Sequence, residues 1–232
     1  MQTNEVQRSW VLVPVFLRIA ARTGADTFDL VELGSSAGLN LVWDRYRYRY
    51  AAAEWRREDA PLTLAGEERR AVPAALLALA PKVRGRVGID RDPVDLTSDE
   101  GARLLHCFIW VGQDERHARL DRAIEALRAD PPQLLEGDFV EALPEVLAAQ
   151  PLDGLTIVFQ TAALDYVGGE GRARVLAALE VAAEQRPVAF VSAGRPRTGG
   201  SCWGVRTTYW PGRERELAAH ADVHGRWLEW EL

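Results

Sequence analysis

Residues 30–41 read LVELGSSAGLNL, a short apolar run that leads into two glycines, and this stretch decides the fold. Read as G-x-S-x-G, its Gly34, Ser36 and Gly38 are typical of the nucleophile elbow of a serine hydrolase. Read as E-x-G-x-x-x-G, with Glu32 in front, the same glycines indicate a strand–turn–helix unit whose backbone approaches a nucleotide-like cofactor. The two interpretations exclude each other, so the rest of the sequence must decide between them.

Apolar strands alternate with amphipathic helices along most of the chain. The predicted strands cover residues 28–33, 85–90, 132–138, 154–162 and 187–194, and the predicted helices cover residues 4–23, 37–46, 97–111, 114–129, 139–149 and 169–185. This alternation is typical of a doubly wound α/β fold with a mostly parallel sheet. In such sheets ligands bind beyond the carboxyl ends of the strands, near the point where the strand order reverses.

Two regions depart from this alternation. Residues 45–85 begin with RYRYRY and contain further short strand-like runs, so we predict an inserted hairpin region there. The tail segments 202–210 and 225–232 are predicted to close the sheet as an antiparallel pair. No repeat or linker divides residues 1–232, and a chain of 232 residues with 47% hydrophobic content predicts one domain with one sizeable core.

The composition argues against several classes of function. A formal net charge of −6 disfavours a general nucleic-acid surface, which needs clustered basic residues. Lys82 is the one lysine, so a Schiff base or a phosphate-loop lysine has almost no candidate. Cys107 and Cys202 belong to no metal-binding pattern and predict reduced, inert thiols. The apolar run at residues 9–20 is too short to span a membrane. We therefore expect a cytoplasmic protein without a metal site.

The hydrolase interpretation has partial support. Asp165 and His224 follow Ser36 in the order that an α/β-hydrolase triad requires. Such a fold also needs an oxyanion loop and several strands before the nucleophile, whereas the short segment before Ser36 is predicted to be mostly helical. A dinucleotide-binding G-x-G-x-x-G is absent as well, which favours a cofactor whose anionic end is a single carboxylate. The sequence thus favours the cofactor turn and keeps the hydrolase as the alternative.

Several motifs together resemble known families. ELGSSAGLN, EGD before a short helix, and the Gln160-Thr161 pair after an apolar strand resemble motifs of class I S-adenosylmethionine-dependent methyltransferases. More specifically, QTNEVQRS, GSSAGLNLVWDRYRY, GIDRDPVDL, DERHARL and HGRWLEW together resemble an uncharacterised bacterial family, the domain of unknown function numbered 2332. This resemblance covers essentially the whole chain and implies a methyltransferase-like Rossmann fold. Members usually carry a further N-terminal region before the TNE segment, so we expect this sequence to be a truncated one, a short member of the family or one with a misassigned start.

The resemblance implies a binding site for S-adenosylmethionine. Glu32 is the acid at the end of the first strand, and the turn lines the methionine and ribose end of the cofactor through Gly34, Ser35, Ser36 and Gly38. Asp138 accepts a hydrogen bond from the adenine amino group, and Phe139 packs on the ring. An equally available role for Asp138 is the N-cap of the helix that follows it.

Other candidate site residues are less firmly placed by the sequence. Asp90 ends the second predicted strand and is assigned to the ribose, although Glu54 takes this role if residues 45–54 are the second strand. Asn40 is expected to face the cofactor, or to lie on an exposed helix. Gln160 ends the fourth strand and is expected to contact the cofactor.

The candidate catalytic residues are Glu5 and His224. Asn4, Glu5 and Arg8 share one helical turn and indicate either a polar lid over the site or a capped helix end. His224 lies in a late loop, where it is either an acid–base catalyst or a surface histidine. There is no N-P-P-Y or D-P-P-Y after the fourth strand, which disfavours methylation of an adenine or glutamine amino group.

The resulting expectation is an S-adenosylmethionine-dependent methyltransferase that acts on a small molecule and binds neither nucleic acid nor a membrane. The alternatives are a serine hydrolase built on Ser36, Asp165 and His224, and a non-catalytic protein of the same fold that keeps the cofactor pocket.

Overall fold

The computed structural model describes residues 5–55, 59–194 and 202–232. Its helices are α1 (Arg8–Thr23), α2 (Ala74–Leu77), α3 (Asp99–His106), α4 (Asp114–Arg128), α5 (Phe139–Ala148) and α6 (Gly169–Ala183). Its strands are β1 (Thr27–Leu33), β2 (Arg47–Arg49), β3 (Glu54–Trp55), β4 (Thr63–Ala65), β5 (Glu67–Arg70), β6 (Lys82–Asp90), β7 (Gln133–Glu136), β8 (Leu155–Thr161), β9 (Val188–Gly194), β10 (Trp203–Trp210), β11 (Glu214–Ala221) and β12 (Trp227–Trp230).

A nine-stranded sheet organises the molecule in the order β5-β12-β11-β10-β9-β8-β1-β6-β7. The five strands from β9 to β7 all pair in parallel, so their carboxyl ends lie at one edge. From β1 the chain moves outward through β6 and β7, and it then returns to β8 on the other side of β1. The prediction of an α/β protein with a large, mostly parallel sheet is confirmed, and its strand order reverses between β1 and β8.

Helices cover both faces of the sheet because successive residues of each strand point to opposite sides. On β1, Phe28 and Leu30 pack in one buried cluster with α1 and α4, whereas Val31 and Leu33 pack in the other with α5 and α6. Phe16 of α1 anchors the first cluster, since its ring centroid lies 5.4 Å from that of Phe159 on β8. α1 therefore covers the face beside the switch point.

The helix predicted at residues 37–46 is wrong. Successive turns run from Gly34 onward and end in a single 3₁₀ turn at Trp43–Arg45. Gly38, within the predicted range, has a φ angle of +75°, which does not occur in a right-handed helix, and Ser36 just before it has a φ of +52°. The segment is also buried on all sides, with the Phe16 and Trp43 ring centroids 5.3 Å apart, so it fills the space under α1 instead of forming a helix of its own.

The inserted region is more elaborate than a hairpin. In the second sheet, β2 pairs antiparallel with β3 and parallel with β4, in the order β3-β2-β4. β5 follows β4 in the chain but belongs to the large sheet, where it pairs in parallel with β12 at the edge. β6 then begins at Lys82, three residues before the predicted strand at residues 85–90.

The two tail segments predicted to form an antiparallel pair, which contain β10 and β12, do not pair with each other. β11 was not predicted, and it lies between β10 and β12, pairing antiparallel with both. Within residues 5–55, 59–194 and 202–232, no helix combines the length and the apolar character needed to cross a bilayer.

Candidate functional site

A pocket opens at the carboxyl edge of the parallel strands, where the strand order reverses. It encloses about 1060 Å³, including its open mouth. Its walls come from the turn after β1, the end of β6, the start of α5, the segment after β8 and the first residue of α1. The lining residues are Arg8, Gly34, Ser36, Asp90, Arg91, Phe139, Thr161, Ala162, Ala163, Tyr166 and Val167. The pocket therefore lies where the topology of the sheet places a ligand.

Gly34 lies at the centre of the turn, at a position where no side chain fits. Its φ is +69°, and a Cβ atom at this position would lie 2.7 Å from the Cβ of Ala163. The backbone N–H of Gly34 donates to the carbonyl of Ile89 at 2.8 Å, which fixes the turn to the end of β6. The turn is thus held between β6 and the segment after β8, with bare backbone at the pocket wall.

The other turn residues face inward. The hydroxyl of Ser35 packs against Gly88 of β6. Gly38 packs against Pro132 and Leu134, since a Cβ atom there would lie 2.9 Å from the Cγ of Pro132. Neither Ser35 nor Gly38 lines the pocket, so both shape the turn that presents Gly34 and Ser36 to it.

Glu32 lies buried beneath the turn, and its carboxylate is only partly satisfied. Its Oε1 accepts a long hydrogen bond of 3.5 Å from Nδ2 of Asn40, whose Oδ1 accepts from the hydroxyl of Ser9 at 2.8 Å. Its Oε2 has no hydrogen-bond partner among the residues that the structure describes. Burial raises the pKa of Glu32 to about 8. Ser9 of α1 thus holds Asn40, and Asn40 orients Glu32. Asn40 itself does not line the pocket.

Asp90 takes the position that an acid at the end of the second strand should occupy. It ends β6, the neighbour of β1, and it lines the pocket. Its Oδ2 accepts from the backbone N–H of Ser36 at 2.7 Å, and its Oδ1 accepts from the N–H of Asp92 at 3.1 Å. Glu54 lies on β3 of the small sheet and pairs with Arg49, so of these two acids only Asp90 reaches the pocket.

Asp138 is the N-cap of α5, which is one of its two predicted roles. Its Oδ1 accepts from the N–H of Val140 at 2.9 Å at the start of α5. Its Oδ2 accepts from Arg91 at 2.5 Å, and this bond, more than the helix N–H, lowers the pKa of Asp138. Phe139 and Arg91 line the pocket while Asp138 stands behind them. The adenine contact of Asp138 stays a prediction.

Gln160 lies beneath the pocket floor. Its Nε2 donates to the hydroxyl of Ser192 at 2.8 Å and to the carbonyl of Ala193 at 3.2 Å, and its Oε1 accepts from the N–H of Leu164 at 3.1 Å. These bonds tie β8 to β9 and to the turn that follows β8. The side chain is buried and does not line the pocket, so it supports the floor instead of facing a ligand as expected; Thr161, the next residue, does line it.

The two candidate catalytic residues lie outside the pocket lining. Glu5 is buried, and its Oε2 accepts from Arg116 of α4 at 2.7 Å, with Arg119 at 3.7 Å from the other oxygen. His224 is exposed in the loop between β11 and β12, where its backbone N–H donates to Asp222 at 3.1 Å. Partial desolvation lowers the pKa of His224. Asn4, the third member of the proposed lid, lies outside the described residues.

The described residues do not assemble the hydrolase triad. The hydroxyl of Ser36 is buried and has no hydrogen-bond partner in the described part of the chain. Asp165 accepts from Arg172 at 3.2 Å and makes no hydrogen bond to His224. Ser36 does adopt a positive φ, as a nucleophile elbow does, but no helix follows it. Its amide is instead bound to Asp90.

Several residues that line the pocket were not predicted from the sequence to contact a ligand. Ala162, Tyr166 and Val167 follow β8, and Arg91 follows Asp90. Their position in the sequence could have indicated them, because each segment that follows a parallel strand lies at the ligand-binding edge of the sheet. Arg8 was named only as part of a lid, and its place in the pocket depends on how α1 crosses the sheet.

Comparisons with known proteins place the chain in a family. None of the curated proteins matches its sequence. A crystal structure of the glycopeptide N-methyltransferase MtfA complexed with S-adenosyl-L-homocysteine is similar over 91% of this chain, with 13% sequence identity and a TM-score of 0.29. The chain spans 64% of the length of that protein chain, and a TM-score this low does not establish a common fold.

A family model described as "Uncharacterized protein conserved in bacteria (DUF2332)" matches residues 1–230. The match extends over nearly the whole sequence, so the resemblance drawn from the motifs is confirmed. The chain belongs to this bacterial family.

Proposed function

We propose that this chain binds S-adenosylmethionine in the pocket at the switch point and uses it as a methyl donor for a small molecule. The observation that carries the proposal is the turn itself. Gly34 presents bare backbone to the pocket, Asp90 holds the amide of Ser36 beside it, and the carboxyl group of Glu32 lies buried beneath with one unpaired oxygen among the described residues.

The chemistry of the lining fits this cofactor. S-adenosylmethionine carries an ammonium and a sulfonium cation, a ribose diol and an aromatic base. Asp90 lines the pocket beside the turn, which suits the ribose diol, and Glu32 lies buried beneath the turn. A carboxylate accepts several hydrogen bonds at once, so Asp90 can hold the Ser36 amide and ribose hydroxyls together. Phe139 offers an aromatic ring at the side of the pocket next to β6 and β7.

When bound, the cofactor supplies an electrophilic methyl group, and the residues of the chain orient it towards a nucleophile. The segment 161–167 after β8 lines the other side of the pocket, and we assign the acceptor to that side. Without the open space of its mouth, the cavity measures about 350 Å³, which is within the size range of small-molecule ligand sites. This size supports a small-molecule substrate.

Asp90→Asn and Glu54→Gln test the assignment as a matched pair. Asp90→Asn is expected to weaken binding of S-adenosylhomocysteine about tenfold or more, because a charge-assisted hydrogen bond to the ligand is lost. Glu54→Gln removes an acid of the small sheet and is expected to leave the affinity unchanged. Calorimetric titration measures both. Equal affinities for the wild type and Asp90→Asn would show that Asp90 does not contact the ligand. A loss of affinity in Glu54→Gln alone would show that Glu54, not Asp90, contacts it.

A further inference from the structure

Arg8 is a charged group in the pocket wall that the proposed cofactor contacts leave unused. It is the first residue of α1 and lines the pocket with Thr161 and Tyr166, on the side away from Asp90. Its guanidinium lies over the ring of Trp203, 4.7 Å from the ring centroid. Burial lowers the pKa of Arg8, the direction expected for a cation withdrawn from water.

Two of the three guanidinium nitrogens are held in place by neutral acceptors. Nε donates to the carbonyl of Val223 at 3.1 Å, and Nη1 donates to the hydroxyl of Thr161 at 3.3 Å. Together with the position of the guanidinium over the Trp203 ring, these bonds restrain the group. Nη2 donates to none of the described residues, and Nη1 carries a second hydrogen, so an end-on pair of donors is available.

No described acid forms an ion pair with Arg8. Glu5 and Glu32 act on it through space only, because Glu5 is bound to Arg116 and Glu32 lies beneath the turn. Other arginines in this part of the chain do have direct partners, such as Arg91 with Asp138. Arg8 is half-buried, and a planar guanidinium with an open pair of donors suits a carboxylate.

We propose that Arg8 binds a carboxylate group of a ligand in this pocket through Nη1 and Nη2. The inference rests on the proposed function for the source of that group. It is either the amino-acid carboxylate of the cofactor or a carboxylate of the methyl acceptor. Both sources place the same chemistry on the same two nitrogens.

The test uses Arg8→Lys, which keeps the charge and removes the pair of donors. The matched control is Arg174→Lys, at an exposed arginine of α6 whose partner is Glu141. Thermal melts of both variants show whether they fold as the wild type does. Each is titrated with S-adenosylhomocysteine and with 5′-methylthioadenosine, which has the same adenosine but no amino-acid group. Benzoate is then titrated into protein saturated with S-adenosylhomocysteine, with NMR detection.

If the cofactor supplies the carboxylate, Arg8→Lys weakens S-adenosylhomocysteine about tenfold or more and leaves 5′-methylthioadenosine unchanged. If the acceptor supplies it, both nucleosides bind unchanged and Arg8→Lys abolishes the binding of benzoate. Unchanged binding of all three probes overturns the proposal. Failure of the wild type to bind either nucleoside defeats the proposed function instead, and benzoate titrated into the ligand-free wild type and Arg8→Lys then tests Arg8 alone.

Discussion

Replacing Gly34 by alanine is expected to reduce the affinity for S-adenosylhomocysteine by on the order of 100-fold. The new Cβ atom would lie 2.7 Å from the Cβ of Ala163, and the φ of +69° disfavours any side chain at this position. To remove the clash, the turn must move away from the segment after β8, which changes the pocket wall that both sides form. The same overpacking is expected to lower the free energy of unfolding by about 1–3 kcal/mol.

Gly24→Ala provides the matched control. Gly24 ends α1 with a φ of +71°, but a Cβ atom there would meet nothing within 4 Å. This variant therefore carries the same backbone penalty, about 1 kcal/mol, without the clash. Its affinity for S-adenosylhomocysteine should equal that of the wild type in a calorimetric titration. If Gly34→Ala bound the ligand as tightly as Gly24→Ala does, the turn would not form the ligand site.

Glu32→Gln is expected to change how stability depends on pH. The pKa of Glu32 rises from 4.5 to about 8 on folding because the carboxyl group is buried. Between these two values the folded state holds a proton that the unfolded state releases. The free energy of unfolding therefore falls as the pH rises through this window and levels off above pH 8. The loss is on the order of 5 kcal/mol at most, and the neutral glutamine does not share it.

Urea unfolding of the wild type and Glu32→Gln at several pH values between 4.5 and 8.5 measures this effect. The two proteins should have similar stability at the acid end, and Glu32→Gln should become the more stable one as the pH rises. Glu184→Gln, at an exposed position on the carboxyl side of α6, controls for the substitution itself. Parallel stability curves for the wild type and Glu32→Gln would show that the carboxyl group is not held in its neutral form by burial.

The strands that build the pocket could be predicted because their signal is local. β8 and β9 are mostly apolar runs, as expected of strands buried on both faces, and β1 is a short apolar run interrupted by Asp29 and Glu32; each of the three ends within one residue of the predicted position. β11 has no such signal, since ERELAAHA is rich in helix-forming residues and becomes a strand only by pairing with β10.

The side chains at the site could be predicted only in part. Gly34, Ser36, Asp90 and Phe139 line the pocket because their positions at strand and helix ends decide where they lie. The sequence locates the end of β8 but does not give the direction of each side chain, so Gln160 was expected to face the cofactor although it bonds to β9. The buried segment after Gly34 follows tertiary packing against α1, and a local helical pattern could not reveal that.

Calorimetric titration of the whole chain with S-adenosylhomocysteine tests the central claim most directly. If the turn at Gly34 holds this cofactor, the titration will show saturable binding with one molecule per chain, and the same titration with Gly34→Ala will show much weaker binding. A titration without saturable heat for either S-adenosylhomocysteine or S-adenosylmethionine, in wild-type protein that unfolds cooperatively, would contradict the claim.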